Sequence, residues 1–503
     1  MTKYLLKSKM NWGYYTTPQA SSCQGMMDKR CAVPRGKVLG GSGTINDLIY
    51  SRGSQEDYDY WEKLGNTEWS YKDLEKYYLE LELWQTYGNR NYHGFHGSLN
   101  CNRTKPDSVF LTKFFAALAK KGHRQIDYNV DPKHGVSRTV FNINFNKRVT
   151  AFTSFVKNIT NRSNLIVSKN SLVTKLLIDS KMNRTNGVKF IRNNVTYIAI
   201  CTKEVILSAG SINTPQILML SGIGPKEVLA LHKIPVVKNL PVGKNLQEHP
   251  KFIGLIIKTN LTEHYGNMSE NLRKYFYAAK PLTSTSPESI GFLKFKQSHN
   301  DTPEIEYLMN PAEIYDNITK FKYNFNKNID EFMTKSLKEN AFVINLILLH
   351  GKSRGQITLK SNDPKDFPQI NLNMLSVDED VKIIYRAIKY FIDLLNTEPM
   401  RKMAATLLPP NTICGNYKSL SKKYWYCVIK QLTVPANNLV GTTRMGLSSN
   451  YSVVNHQLKV HGIENLRVVD AGIMPEIISG HTNAPTFVIA LKTADSIILE
   501  NSV

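Results

Sequence analysis

Residues 465–494, NLRVVDAGIMPEIISGHTNAPTFVIALKTA, restrict the fold more than any other stretch of the chain. Residues 466–469 form a short apolar, β-branched run that suits a buried strand. Asp470, Ala471 and Gly472 end it, and a loop rich in Gly, Ser, His, Thr and Asn follows. Pro485 then stands in the first turn of an apolar helix, where its missing N–H costs nothing. Unpaired backbone N–H groups and the imidazole of His481 are therefore expected together where a strand feeds a helix. Such a helix start favours an anionic neighbour. An ordinary α/β crossover with a loop histidine has the same pattern, so this stretch alone establishes only strand, loop and helix.

Residues 203–224, KEVILSAGSINTPQILMLSGIG, repeat the arrangement. A strand over 205–208 runs into the turn Ala209-Gly210-Ser211. Thr214 is the expected N-cap of the next helix, with Pro215 at its first position and Ser221-Gly222 closing it. That geometry brings backbone N–H groups to a dinucleotide. Nearer the start, PRGKVLGGSGTIND (34–47) places Gly36, Gly40, Gly41 and Gly43 within eight residues. Without Cβ atoms such a loop admits a ligand close to the backbone, although a simple flexible turn has the same composition.

The remainder reads as scaffold. A helix over 70–82 is capped by Ser70. Residues 289–295, 341–350 and 356–359 are strand-like. A helix over 376–396 has a Ser376/Glu379 capping box and an apolar face of Val381, Ile384, Ile388, Phe391 and Leu395. The expected domains are 1–253, 254–440 and a return segment, 441–503.

The net charge of +23 is dispersed along the chain with no basic block, which argues for a solvated surface and against nucleic-acid binding. No apolar run reaches the roughly 18 residues of a membrane span. The six cysteines include two close pairs, Cys23 with Cys31 and Cys414 with Cys427, whose separations allow local disulfides. Cys101 and Cys201 read as free core thiols. None has metal-ligand spacing, so no metal is expected. Ten N-x-S/T sequons, at Asn102, Asn158, Asn161, Asn183, Asn194, Asn260, Asn267, Asn300, Asn317 and Asn450, point with the cysteines to the secretory route. The N-terminus itself does not read as a signal peptide.

Taken in order, PRGKVLGGSGTIND (34–47), GSINTPQILMLSGIGP (210–225) and NLRVVDAGIMPEIISGHTNAPT (465–486) resemble the glucose-methanol-choline (GMC) flavin oxidoreductases. YHGFHGSL (92–99), LPVGKNLQEHP (240–250), KPLTSTSPESIGFL (280–293) and SRGQITLKSNDPKDFPQINLNML (353–375) extend the likeness over nearly the whole chain, and the cysteine pairs with TTPQASSC (16–23) look most like the insect branch, similar to FAD glucose dehydrogenases. The resemblance implies an α/β fold, α+β overall, in which a doubly wound domain binds FAD and a sheet-based domain covers the substrate side. It implies hydride transfer from the CH–OH carbon of an alcohol or sugar to flavin, with quinone or oxygen as electron acceptor. It places Gly40, Gly41, Ser42 and Asn46 against the flavin, Val173 near the adenine, Asp470 and Ala471 near the pyrophosphate, and Asn483, Pro485 and Thr486 at the ring. His481 becomes one member of the catalytic pair and the expected base; a neutral imidazole suits that role near pH 7.

Two departures qualify the likeness. The family opens with a strand, a GxGxxG turn and a helix, and this sequence contains no GxGxxG. The absent unit amounts to at least the ~30 residues of a dinucleotide-binding βαβ, so the doubly wound domain is expected to be N-terminally incomplete, to leave a sheet edge and apolar surface uncovered, and to hold FAD poorly or not at all. The chain then reads either as a fragment of a longer product, with a signal peptide upstream of Met1, or as a shortened relative. The second departure is Asn438, in VPANNLVGTTRMG, where the family usually has a histidine. An amide has no useful basicity. Asn438 is expected to be the hydrogen-bonding partner of His481; the alternative is a secreted, non-catalytic relative that binds or builds.

Overall fold

A computed structural model describes residues 5–502 except 104–106, 133, 146, 263–272, 274–286, 296–301, 312–316 and 339. The sequons at Asn267 and Asn300 and the start of the 280–293 segment lie outside the described residues.

The two strand–turn–helix units are neighbours. Val205–Leu207 and Leu466–Val468 pair in parallel, with Ile206 opposite Arg467. Arg467 is buried in this apolar pair. It is balanced by Glu204, whose Oε2 accepts from Nε at 2.7 Å, and by Glu500 on the C-terminal helix. Asn483–Asn501 forms that helix. One expectation is corrected: the first unit's helix spans Gly210–Leu220, with Ala209 as cap, so it begins before Thr214 and holds Pro215 in its interior. A proline there cannot bond the carbonyl four residues back. That carbonyl, on Ser211, instead accepts from Thr442 Oγ1 at 2.7 Å. The Thr214 hydroxyl meanwhile accepts from Ala209 N at 3.0 Å.

Seven strands build one antiparallel sheet: β1 (Gly135–Arg138), β2 (Pro250–Lys258), β3 (Ser289–Leu293), β4 (Ile305–Pro311), β5 (Ala341–Leu348), β6 (Thr406–Leu407) and β7 (Thr433–Pro435). Their order is β6-β2-β5-β4-β3-β1, with β7 also on β2. The central strands are buried along most of their length, with one face packed under helices and the other turned to a cavity. Tyr307 and Phe342 meet Phe114 and Phe391, the latter on the Asp378–Leu394 helix. Alternate residues point the other way, and Leu308, Asn310, Val343 and Asn345 line a cavity. Lys251 and Glu306 both register opposite Ile347, so they share one row across β2, β5 and β4.

The expected helix over 376–396 spans Asp378–Leu394 and has no capping box; Val377 precedes it. Ser376 Oγ instead donates to Ser353 Oγ at 3.2 Å, and three acidic residues in the first turn answer the helix dipole. Ser70 does cap Tyr71–Leu81, through a box with Asp73. Cys23–Cys31 and Cys414–Cys427 are disulfides; Cys101 is a buried free thiol, whereas Cys201 is half-buried. Ile206 of the parallel pair is 45% exposed and lines the cavity, and Ile198 and Ile200 of the antiparallel strand Val195–Ile200 are exposed.

Candidate active site

A cavity of about 830 Å³ separates the parallel unit from the antiparallel sheet. Ten of the residues expected at a cofactor or catalytic site line it: Gly40, Gly41, Ser42, Asn46, Asn438, Asp470, Ala471, His481, Asn483 and Thr486. Two do not. Val173 lies in Leu172–Asp179, opposite Phe190, and Pro485 is buried in the first turn of the 483–501 helix.

The glycine loop needs its glycines. A Cβ on Gly36 would sit 2.2 Å from the Gly41 carbonyl oxygen, and Gly40 has φ +90°. Gly41 and Gly210 face open space, with no atom within 4 Å of a Cβ position, so the cavity reaches the backbone at both. Arg148, which sequence reasoning did not single out, fastens this loop. Its guanidinium donates to Asn46 Oδ1 and Asn46 O, each at 2.8 Å. The Asn46 carboxamide oxygen is thus engaged by protein.

Asp470 joins the two units. Oδ2 accepts from Gly210 N at 2.9 Å and Thr214 Oγ1 at 2.6 Å, and Oδ1 accepts from Gly472 N at 2.8 Å. Burial raises its pKa, and these donors offset part of the rise. A carboxylate so occupied holds the turn in shape and gives no donor to a phosphate.

At the other end, Asn438 reaches the residue after His481, with Thr482 Oγ1 donating to Asn438 Oδ1 at 3.5 Å; the side chain of Asn438 bonds Thr482 and His249, and no hydrogen bond joins it to His481 among the described residues. Asn438 is 7% exposed. Its Nδ2 lies 3.1 Å from His249 Nδ1, and its backbone N–H donates to Glu248 Oε1 at 2.9 Å. Burial, with His350 and His481 nearby, keeps His249 neutral well below the ordinary histidine range. Burial likewise pushes Glu248 up to about 7, against the pull of the Asn438 N–H and Arg35. His481 is held by Glu306, whose Oε1 is 2.9 Å from Nε2 and whose side chain is 1% exposed. Among the described residues Nδ1 has no partner.

Glu248 and His249 lay within a segment already marked as family-like, but the individual side chains were not picked out. Glu306 carried a detectable signal: an acidic residue in the middle of an apolar strand, which burial tolerates only with a partner.

The arrangement accommodates a flavin dinucleotide. It offers open glycine backbone at Gly41 and Gly210, a helix start at Thr482–Asn483, and, beside that helix start, the imidazole of His481 and the amide of Asn438. No GxGxxG turn is among the described residues.

The GMC oxidoreductase models match residues 14–251 for the N-terminal part and 351–490 for the C-terminal part. The chain is 32% identical over 504 residues to "Glucose dehydrogenase [FAD, quinone]" of Drosophila pseudoobscura pseudoobscura, covering 97% of this chain and 78% of that protein. It is 31% identical to "Ecdysone oxidase" of Spodoptera littoralis, covering 98% of this chain and 83% of the relative. In fold it is similar to pyridoxine 4-oxidase from Mesorbium loti, with TM-score 0.82 at 22% identity over 98% of this chain and 90% of the other. It is also similar to formate oxidase, with TM-score 0.84 at 22% identity over 100% and 90%.

Proposed function

This chain belongs to the GMC oxidoreductase family, and on that footing we propose that it oxidises the CH–OH group of a small alcohol or sugar with FAD as cofactor. The observation that carries the reading is that His481 and Asn438 both line one cavity, each tied to a buried acidic side chain, Glu306 and Glu248. The glycine loop Gly40–Ser42, with Asn46, Ala471, Asn483 and Thr486, would hold FAD, and Asp470 keeps the turn beneath it in shape. FAD, when bound, supplies the ring that accepts the hydride.

The chain's own part is proton handling and placement. With Nε2–H donated to Glu306, His481 Nδ1 is the atom left to take the hydroxyl proton. The Glu306 carboxylate then stabilises the imidazolium. Asn438 contributes a hydrogen bond to the substrate oxygen and no basicity. The first turn of the 483–501 helix favours negative charge developing beside it.

Quinone or oxygen serves as the acceptor class; both dehydrogenases and oxidases are among the relatives. Two disulfides and exposed sequons at Asn158, Asn161, Asn183, Asn194, Asn260 and Asn450 support an oxidising, extracellular setting. The test is His481→Ala in FAD-loaded protein. Flavin reduction by substrate should slow by about 10²–10⁴-fold, the usual worth of a positioned general base. Wild-type turnover in that variant would sink the reading.

A further inference from the structure

The sheet wall of the cavity carries a charge that the oxidation itself does not use. Lys251 is the second residue of β2, in the run PKFIGLIIK, which is otherwise buried almost throughout. It is 7% exposed, yet it lines the cavity. Lysine is almost never buried without a partner. Among the described residues its Nζ makes no hydrogen bond or ion pair; the face of the Tyr323 ring is 5.6 Å away, and Asp47 and Glu248 feel its charge without pairing with it. The neighbouring cation differs: Lys322 lies 3.6 Å from Asp47. Glu306 sits in the same row of the sheet, two strands away, and its carboxylate is taken by His481.

The backbones of Lys251 and Glu306, the residue that holds His481, are therefore separated by two strand spacings, about 10 Å, with Ile347 between them as an apolar floor. A lysine left open to a cavity answers an anion supplied by the ligand. One cation without a direct partner, with the acidic groups of Asp47 and Glu248 in its field, matches a monoanion better than a phosphate dianion.

We propose that Lys251 selects substrates in which the reacting alcohol is joined by a short apolar spacer to a carboxylate: the site takes a hydroxy acid, with the hydroxyl at His481 and the carboxylate at Lys251. The inference rests on the oxidation proposed above. The CH–OH carbon loses its hydride to FAD and its hydroxyl proton to His481, becoming C=O, and the carboxylate passes through unchanged.

The experiment uses ω-hydroxycarboxylates of four to eight carbons and the matching ω-hydroxyamides, which keep the shape and lose the charge. Affinity for the FAD-loaded chain is measured by calorimetry, and flavin reduction is followed in parallel. In the wild type the best acid should bind at least ~10-fold more tightly than its amide, the scale of one hydrogen bond to a charged group. In Lys251→Met that ratio should fall to about one, and Lys251→Arg should restore part of it. A ratio near one in the wild type, a ratio that survives in Lys251→Met, or binding of neither ligand overturns the proposal. Lysine-dependent acid binding without flavin reduction by any alcohol would instead leave the anion site standing and remove the oxidation.

Discussion

Glu248 should set the pH dependence of stability at the base of the site. Its Oε1 accepts the N–H groups of Asn438 at 2.9 Å and His249 at 2.8 Å, while Oε2 is buried with no hydrogen-bond partner among the described residues. Burial raises its pKa from 4.5 to about 7, more than the two N–H groups, Arg35 and Lys251 pull it down. Because the folded value exceeds the unfolded one, the contribution is fully present below the unfolded pKa. It is lost as pH rises through the folded pKa, since the folded state binds the extra proton. At about 1.4 kcal/mol per pKa step, the loss between pH 5 and pH 8 is ~2.5 kcal/mol. Glu248→Gln keeps an acceptor for both N–H groups and has no proton to lose. Urea unfolding of wild type and variant at pH 5 and pH 8, with both disulfides intact, isolates this group as a difference of differences. The variant should gain ~2.5 kcal/mol on the wild type from the lower to the higher pH. Parallel profiles for the two proteins would refute the reasoning.

Asp470→Asn should cost about 2 kcal/mol, because an amide cannot accept from Gly210, Thr214 and Gly472 together and a buried charge-assisted hydrogen bond is lost; an unchanged urea midpoint would count against the clamp. Glu306→Gln retains an acceptor for His481 Nε2–H but removes the charge facing the imidazolium. Flavin reduction at neutral pH should slow about 10-fold with KM less affected, and equal rates would show that Glu306 only fills space. Replacing both Cys414 and Cys427 by serine removes a 13-residue link and should cost ~2–3 kcal/mol, read as a lower unfolding midpoint against the intact protein under non-reducing conditions.

How much of this could be read from the chain depends on whether the information was local. The strand–turn–helix units were legible because punctuation and periodicity are written in consecutive residues: Asp470-Ala471-Gly472, then Pro485, and Ala209-Gly210-Ser211. Both local disulfides were legible for the same reason, their partners being 8 and 13 residues apart. The helix starts misread were those decided from elsewhere. Thr214 looks like a cap beside Pro215, but Asp470, 256 residues away, takes its hydroxyl, and Thr442 satisfies the carbonyl that Pro215 leaves bare. Ser376 looks like a capping box with Glu379, but Ser353 claims it. The braces of the site were illegible for the same cause. Glu306 meets His481 across 175 residues and Glu248 meets Asn438 across 190.

Ile206, in the parallel pair of two strands, is exposed and lines the cavity. The two halves of the site are therefore unequally supported. The proton-handling side rests on a seven-stranded sheet and two buried acidic side chains, whereas the side of the glycine turns rests on a parallel pair of two strands. This asymmetry separates two losses that an activity assay alone would merge: weak retention of FAD would come from the glycine-turn side, and a slow proton transfer from His481 and Glu306. Titrating FAD to saturation before measuring flavin reduction removes the first and leaves the second.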